Sequence, residues 1–254
     1  MLLGLVQGLT EFLPVSSSGH LVLVQAWLDV RDEGVLFEVV LHVATLGSVL
    51  IFYRKRIAEL VLGVLRRQPD AWHYAAKLGV ATVPAVVLVL LAGNFLEAQF
   101  ESARAAALGL LATGAILWTT RRSLPRANAP MPTYAAALLI GCAQALAILP
   151  GISRSGTTVA VALALGVAPA AAAEFSFMMS VVAILGAAVR SIPELAAVSP
   201  DDYAALGAGS AVAVISGIGA IWLFVRLLRS QVFYRFAYYA WAVGTLFLTW
   251  LALR

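Results

Sequence analysis

Charge is scarce in this sequence. Of its 254 residues 12% are Asp, Glu, Lys or Arg while 62% are hydrophobic, a balance that excludes a soluble globular domain and makes the bilayer the solvent. Cysteine is nearly absent. Cys142 stands alone, which excludes an internal disulfide and a cysteine-based metal centre and makes it a small packing residue. The formal net charge of +4 would suit nucleic acid, but the basic residues fall in short patches between apolar runs, as topology signals do, and no nucleic-acid partner is expected. A basic region ahead of the first apolar stretch is also missing, and Glu11 and a serine cluster interrupt that stretch, so no cleavable signal is expected. The chain begins almost inside its first motif, and a short further N-terminal turn is expected ahead of it.

What is present is apolar length. Runs of about 20 residues, enough to cross ~30 Å of hydrocarbon as a helix, lie near 35–53, 75–93, 104–120, 171–190, 206–226 and 234–252. Shorter pieces near 1–13, 18–29, 134–149 and 155–166 flank two polar segments. Such pieces cannot span the bilayer and read as re-entrant helix-loop-helix pairs. The expected fold is an all-α polytopic membrane protein, a single transmembrane domain over 1–254 with six spanning helices and two re-entrant pairs.

The two polar segments are copies. At a constant offset of 137, Gln7 meets Gln144, Ser16 meets Ser153, Ser18 meets Ser155 and Gly19 meets Gly156. Three spans separate the pairs, so the copies are inverted, with repeats of approximately 1–120 and 134–254 whose serine turns meet near the midplane. Charge sets the orientation. Connections 54–77, 121–133 and 226–235 hold most of the Lys and Arg, whereas the other side carries Asp29, Asp32, Glu33, Glu97, Glu101, Glu194, Asp201 and Asp202. The basic loops are then cytoplasmic, both termini lie outside, and the site faces the exterior of a plasma (inner) membrane.

Each serine cluster precedes a short helix, so hydroxyls and backbone N–H groups gather at a positive helix end, an anion cradle. Serine and glycine at such a place also cap helices and permit close packing. Arg154 tips the reading toward an anion, because an arginine at membrane depth costs at least ~2.5 kcal/mol and needs a partner, and its fork matches phosphate. Glu11 shares a helix face with Gln7. Carboxylate plus amide oxygen suits a hard divalent cation, Mg²⁺ or Ca²⁺; a direct Glu11–Arg154 ion pair without metal accounts for it equally. His20 opens the second half-helix, as a hydrogen-bonded packing residue or as an acid-base or nucleophilic group. His42 and His73 read as structural, His42 one turn after Glu38. Glu38 and Glu174 either support the site from behind or cap buried helix starts.

Gln7-x-x-x-Glu11 with Pro14-Val15-Ser16-Ser17-Ser18-Gly19-His20, and Pro150-Gly151-Ile152-Ser153-Arg154-Ser155-Gly156-Thr157-Thr158, resemble the two signature motifs of the integral-membrane undecaprenyl-diphosphate phosphatases, the bacitracin-resistance family. The segment Glu174-Phe175-Ser176-Phe177 is similar as well, so the likeness covers nearly the whole chain. It implies an enzyme that hydrolyses undecaprenyl diphosphate to undecaprenyl phosphate and inorganic phosphate, recycling the lipid carrier of the cell wall. By that resemblance Glu11 and Gln7 hold the metal, and Glu11, Ser17, His20 and Arg154 are catalytic. Ser16, Ser18, Ser153, Ser155, Gly156, Thr157 and Thr158 bind the diphosphate. Members of that family carry Glu or Gln at the position of Gln7.

Two other readings compete. Inverted repeats with broken helices are also a transporter architecture, and a polyprenyl-phosphate flippase would use the same cradle. The type-2 phosphatidic-acid phosphatases resemble the Ser-Gly-His and Ser-Arg pieces but need a further His after Ser-Arg, and 155–200 has none. Partners expected are the lipid substrate, the bilayer and a second copy in a homodimer. Spacing leaves Ser17, His20 and water open as nucleophile.

Overall fold

The computed structural model describes the backbone of residues 1–28, 35–190 and 203–253, and the side chains of these except 25, 28, 35–39 and 187–190. Among them there are helices and no strand; a single isolated bridge joins Ala129 to Val167. The helices are α1 (Leu2–Phe12), α2 (Ser17–Leu28), α3 (Val35–Phe52), α4 (Arg54–Leu65), α5 (Pro69–Phe100), α6 (Ala103–Ser123), α7 (Tyr134–Leu146), α8 (Arg154–Ala164), α9 (Pro169–Arg190), α10 (Tyr203–Arg229) and α11 (Phe236–Leu253).

Among the described residues five stretches are long and apolar enough to cross a membrane: Pro69–Phe100, Ala103–Arg126, Pro169–Gly186, Tyr203–Arg229 and Phe233–Leu253. The sixth expected span, 35–53, corresponds to α3, of which the fully described part, Val40–Phe52, is shorter than a span. The four short pieces are α1, α2, α7 and α8; at 11 residues α1 and α8 each reach only about 16 Å. Leu90, Leu91, Ile215 and Leu246 point outward from the spans, as lipid-facing residues do.

Local chemistry explains the helix ends. Ser102, Thr133 and Ser153 each accept the N–H three residues on, at 3.1, 3.1 and 3.2 Å, and so start α6, α7 and α8. Pro69 occupies the first turn of α5 beside Asp70, both favoured there. Two sequence expectations need correction. The connection 54–77 is not a loop throughout, because Ile57, Leu60 and Val64 give 54–65 an apolar stripe and it forms α4. Cys142 is exposed on α7 rather than packed inside, since the inward face is made by Ala137, Ile140, Gly141 and Gln144.

The short helices are seated by glycine. Gly4 and Gly8, one turn apart on α1, leave room for the backbone carbonyls of Gly209 and Ala213 on α10. Gly141, the offset counterpart of Gly4, does the same on α7 for the carbonyl of Ala81 on α5. This small-residue crossing lets half-helices pack tightly where no hydrophobic force separates protein from lipid. A chain of edge-on rings then ties α1 to the bundle: Phe12–Phe177 at 5.8 Å, Phe177–Phe224 at 5.2 Å and Phe224–Phe233 at 5.0 Å between centroids.

These contacts make a direct test. Gly141→Val drives a side chain into the α5 backbone, which cannot give, and should lose roughly 2–3 kcal/mol of stability. Gly79→Ala, with nothing within 4 Å of the added carbon, should be neutral or gain up to about 1 kcal/mol from helix propensity. Thermal unfolding in detergent compares them, and equal behaviour of the two variants would refute the close crossing.

Candidate active site

Both serine turns are built on the same hydrogen bonds. Ser16 Oγ accepts from Gly19 N at 3.2 Å and lies 3.4 Å from Ser18 Oγ; Ser153 Oγ accepts from Gly156 N at 3.2 Å and lies 3.3 Å from Ser155 Oγ. Each turn needs one residue in the left-handed region, Ser16 at φ 66° and Gly151 at φ 85°. Thr113 of α6 fixes the second turn, donating to Gly151 O at 2.8 Å and accepting from Ser153 N at 2.9 Å.

The turns also touch each other, and the touch is reciprocal. A methyl placed on Gly19 would lie 2.7 Å from Gly151 Cα, and one on Gly156 would lie 3.0 Å from Pro14 Cβ. Under the offset of 137, Gly19 becomes Gly156 and Pro14 becomes Gly151. Exchanging the motifs therefore maps the Gly19–Gly151 contact onto the Gly156–Pro14 contact.

At this junction sits the Glu11 carboxylate. Glu11 Oε1 accepts from Arg154 Nη2 at 2.6 Å, while Glu11 Oε2 accepts from Ser17 Oγ at 2.7 Å and from Gln7 Nε2 at 3.2 Å. His42 Nε2 is 3.5 Å from Glu11 Oε2. The Glu11 and Arg154 side chains are only 7% and 17% exposed, so water screens the pair little. Further polar atoms are buried without a protein partner: Gln7 Oε1, Arg154 Nη1 and Thr157 Oγ1, together with both amide atoms of Gln144. A buried guanidinium edge left without an acceptor is costly unless an anion meets it.

The sequence candidates thus divide. Glu11, Gln7, Ser17 and Arg154 converge directly. Ser16, Ser18, Ser153, Ser155 and Gly156 form the turns, and Ser155 Oγ also reaches Leu13 O at 3.4 Å, across the junction. Thr158 is bonded into the α8–α9 contact, to Arg154 O at 2.8 Å and Ser176 Oγ at 2.7 Å. His20 is held at both nitrogens, Nδ1 against Ser16 O at 2.8 Å and Nε2 against the Tyr239 hydroxyl at 2.8 Å. A carbonyl opposite Nδ1 requires the proton there, leaving Nε2 to accept from Tyr239 in the neutral ring. Glu174 accepts from Arg56 Nε at 2.8 Å and from the Tyr74 hydroxyl at 3.2 Å, among residues of α4 and α5. The side chain of Glu38 lies outside the described residues.

Thr113 and Tyr239 carry no sequence signal of their own, and His42, expected to be structural beside Glu38, lies 3.5 Å from Glu11 Oε2. Each sits in a plain apolar helix, and only the tertiary packing brings it to a motif; the one available hint was a histidine at membrane depth in α3.

The residues present suit a divalent cation of the kind that keeps most of its water. Gln7 Oε1 is a buried oxygen without a partner, adjacent to the Glu11 carboxylate. Among the described residues no three His, Cys, Asp or Glu side chains gather, so a cation here would lean on substrate oxygens for the rest of its shell.

Comparison with known proteins places the chain among named relatives. Residues 1–246 match the family described as bacitracin resistance protein BacA. An undecaprenyl-diphosphatase of Syntrophotalea carbinolica is 39% identical over 97% of this chain and 96% of its own. Those of Alcanivorax borkumensis and Carboxydothermus hydrogenoformans are 37% and 38% identical, over 99% and 96% of this chain and 98% and 93% of theirs.

The buried pair predicts a pattern among variants. Glu11→Gln strands the Arg154 charge and should cost about 3–5 kcal/mol, seen as lost folded yield. Glu11→Gln with Arg154→Met removes both charges and should recover most of that yield. A double variant as poorly folded as the single one would show that the pair does not act as a unit.

Proposed function

The chain belongs to the bacitracin resistance protein BacA family, and on that premise we propose how it works as a multi-pass membrane hydrolase that converts undecaprenyl diphosphate to undecaprenyl phosphate and inorganic phosphate. One observation carries the chemistry. The Ser17 hydroxyl is 2.7 Å from a carboxylate that Arg154 and Gln7 orient from other sides, the arrangement of an activated nucleophile with its base and the groups that position the base.

In the proposed sequence Arg154 Nη1 and the N–H groups opening α2 and α8 hold the terminal phosphoryl oxygens, balancing charge as it spreads in the transition state. Ser17 Oγ attacks the terminal phosphorus while its proton passes to Glu11 Oε2. The bond from that phosphorus to the bridging oxygen breaks, and undecaprenyl phosphate leaves with the bond electrons. Glu11 gives that proton to the departing undecaprenyl phosphate. Water then attacks the phosphoserine phosphorus as Glu11 takes its proton, the bond from phosphorus to Ser17 Oγ breaks, and Glu11 returns the proton to Ser17 Oγ as inorganic phosphate leaves. His20, bound at both nitrogens, orients the turn from Ser16 rather than attacking. A divalent cation held by Glu11 and Gln7 would supply further neutralisation of the diphosphate. The relatives are named as diphosphatases, which favours hydrolysis over the transport reading.

We further propose that the two serine turns belong to inverted repeats, α1 to α6 and α7 to α11, and that the site opens outward. The reciprocal Gly19–Gly151 and Gly156–Pro14 contacts support the two-fold relation. The basic helix ends, with Arg54, Lys55, Arg121, Arg122, Arg226 and Arg229, support the orientation.

Purified protein should release phosphate from undecaprenyl diphosphate, with turnover reduced by chelator and restored by Mg²⁺. Ser17→Ala should lose at least about 100-fold, and brief reaction of the wild type with labelled substrate should trap an acid-stable phosphoserine absent from Ser17→Ala. An acid-labile phosphohistidine lost in His20→Ala would reverse the two roles.

Orientation is checked separately. In a Cys142→Ala background, cysteine at Glu101 should react with a membrane-impermeant thiol reagent on intact cells, and cysteine at Arg126 should not. Both positions are exposed and lie just beyond the two ends of α6. Reaction at Arg126 alone would turn the molecule over.

A further inference from the structure

A second recess lies at the basic end of the bundle, away from Glu11. Trp222, Val225, Arg226 and Arg229 of α10 form one wall and Phe52 and Tyr53 face them, around about 470 Å³, a volume in the range of ligand pockets. Its polarity is uneven. Glu174 also borders it, but that carboxylate is already engaged by Arg56 at 2.8 Å and by the Tyr74 hydroxyl. Arg226 stacks over Trp222, 5.1 Å from the ring centroid, and neither Arg226 nor Arg229 has a carboxylate within ion-pair distance among the described residues. The recess therefore presents two guanidinium groups that no described carboxylate pairs with directly.

Its depth follows from the helices that build it. Arg226 and Arg229 close the last turn of a spanning helix, Phe52 ends α3, and Arg54 and Lys55 follow at once. That is the level at which apolar chain gives way to headgroups. Trp222 is half exposed there, as interfacial tryptophans are. Cationic forks above and an apolar, aromatic wall below match a molecule that is anionic at one end and hydrocarbon at the other.

We propose that this recess binds an anionic phospholipid of the surrounding leaflet, with Arg226 and Arg229 gripping the phosphate and Trp222, Val225 and Phe52 lying along the glycerol and first acyl carbons. The site is separate from the junction at Glu11 and serves no step of the hydrolysis. Guanidinium forks suit a phosphodiester better than point charges do, and a free phosphate would leave the apolar wall unused.

Native mass spectrometry of the detergent-purified protein tests this with dioctanoyl phosphatidylglycerol, dioctanoyl phosphatidylcholine and inorganic phosphate. The wild type should bind phosphatidylglycerol at least about tenfold more tightly than phosphatidylcholine, whose choline cation offsets the phosphate charge and is repelled by the two arginines. Arg226→Gln with Arg229→Gln should reduce that preference to about twofold or less, while Arg122→Gln, an exposed charge elsewhere on the same basic side, should keep it. If the double Gln variant does not fold, Arg226→Lys with Arg229→Lys keeps both charges and should still lose about threefold through loss of the forks. An unchanged preference in the paired variant overturns the site. Inorganic phosphate binding as tightly as phosphatidylglycerol overturns the lipid.

Discussion

A carboxylate and a guanidinium 2.6 Å apart inside the bundle set the terms for everything around them. Neither charge is tolerable alone at that depth, because each would forfeit its hydration without compensation. Together they are tolerable only if both backbones arrive at one point with little freedom. Glu11 rides on a half-helix and Arg154 opens another, so two interrupted segments must meet inside the bundle. The close glycine crossings, the ring chain from Phe12 to Phe233 and the clamp of Thr113 on the second turn all serve that meeting.

The serine turns resolve the backbone problem the meeting creates. Breaking a helix in an apolar medium strands N–H groups that no water can satisfy. Ser16 and Ser153 each return a hydroxyl oxygen to the N–H three residues on, so the break is capped from within. The serines first singled out as phosphate ligands thus have a structural duty, and the two functions are compatible: an N–H left over at the helix start faces the same direction as the capped one. Arg154 Nη1 and Thr157 Oγ1 are buried without protein partners, and the proposed substrate would bring an anionic oxygen to them.

Much of this was legible in the sequence, for definite reasons. Hydrophobic length separated spans from half-helices, and the expected pieces near 134–149 and 155–166 correspond to Tyr134–Leu146 and Arg154–Ala164. The repeat, aligned without a gap, put the paired serines in equivalent hydrogen bonds. What could not be read is tertiary. His42 lies on an apolar helix with nothing local to connect it to Glu11, 31 residues earlier in the chain. Tyr239 reaches His20 across 219 residues. Helix α4 escaped notice because its Arg-Lys-Arg start resembles a topology loop more than an amphipathic helix, and the break at Ala92 (φ −133°, ψ 24°) inside α5 falls in a featureless apolar run.

The duplication also explains how one carboxylate comes to be served from two directions. Ser17 and Arg154 occupy the same position in the two copies, 137 apart, each at the first residue of the half-helix that follows its turn. Both bond to Glu11, Ser17 at Oε2 and Arg154 at Oε1. The proposed two-fold relation would bring equivalent positions to a common axis, and in this chain they are unlike: hydroxyl in one copy, guanidinium in the other. The counterpart of Glu11 is Ile148, so a second carboxylate, which would repel the first and the substrate alike, is absent from the mirror position. On the proposed mechanism the two positions must differ, since serine on both sides would lack a permanent cation and arginine on both sides would lack the proposed nucleophile.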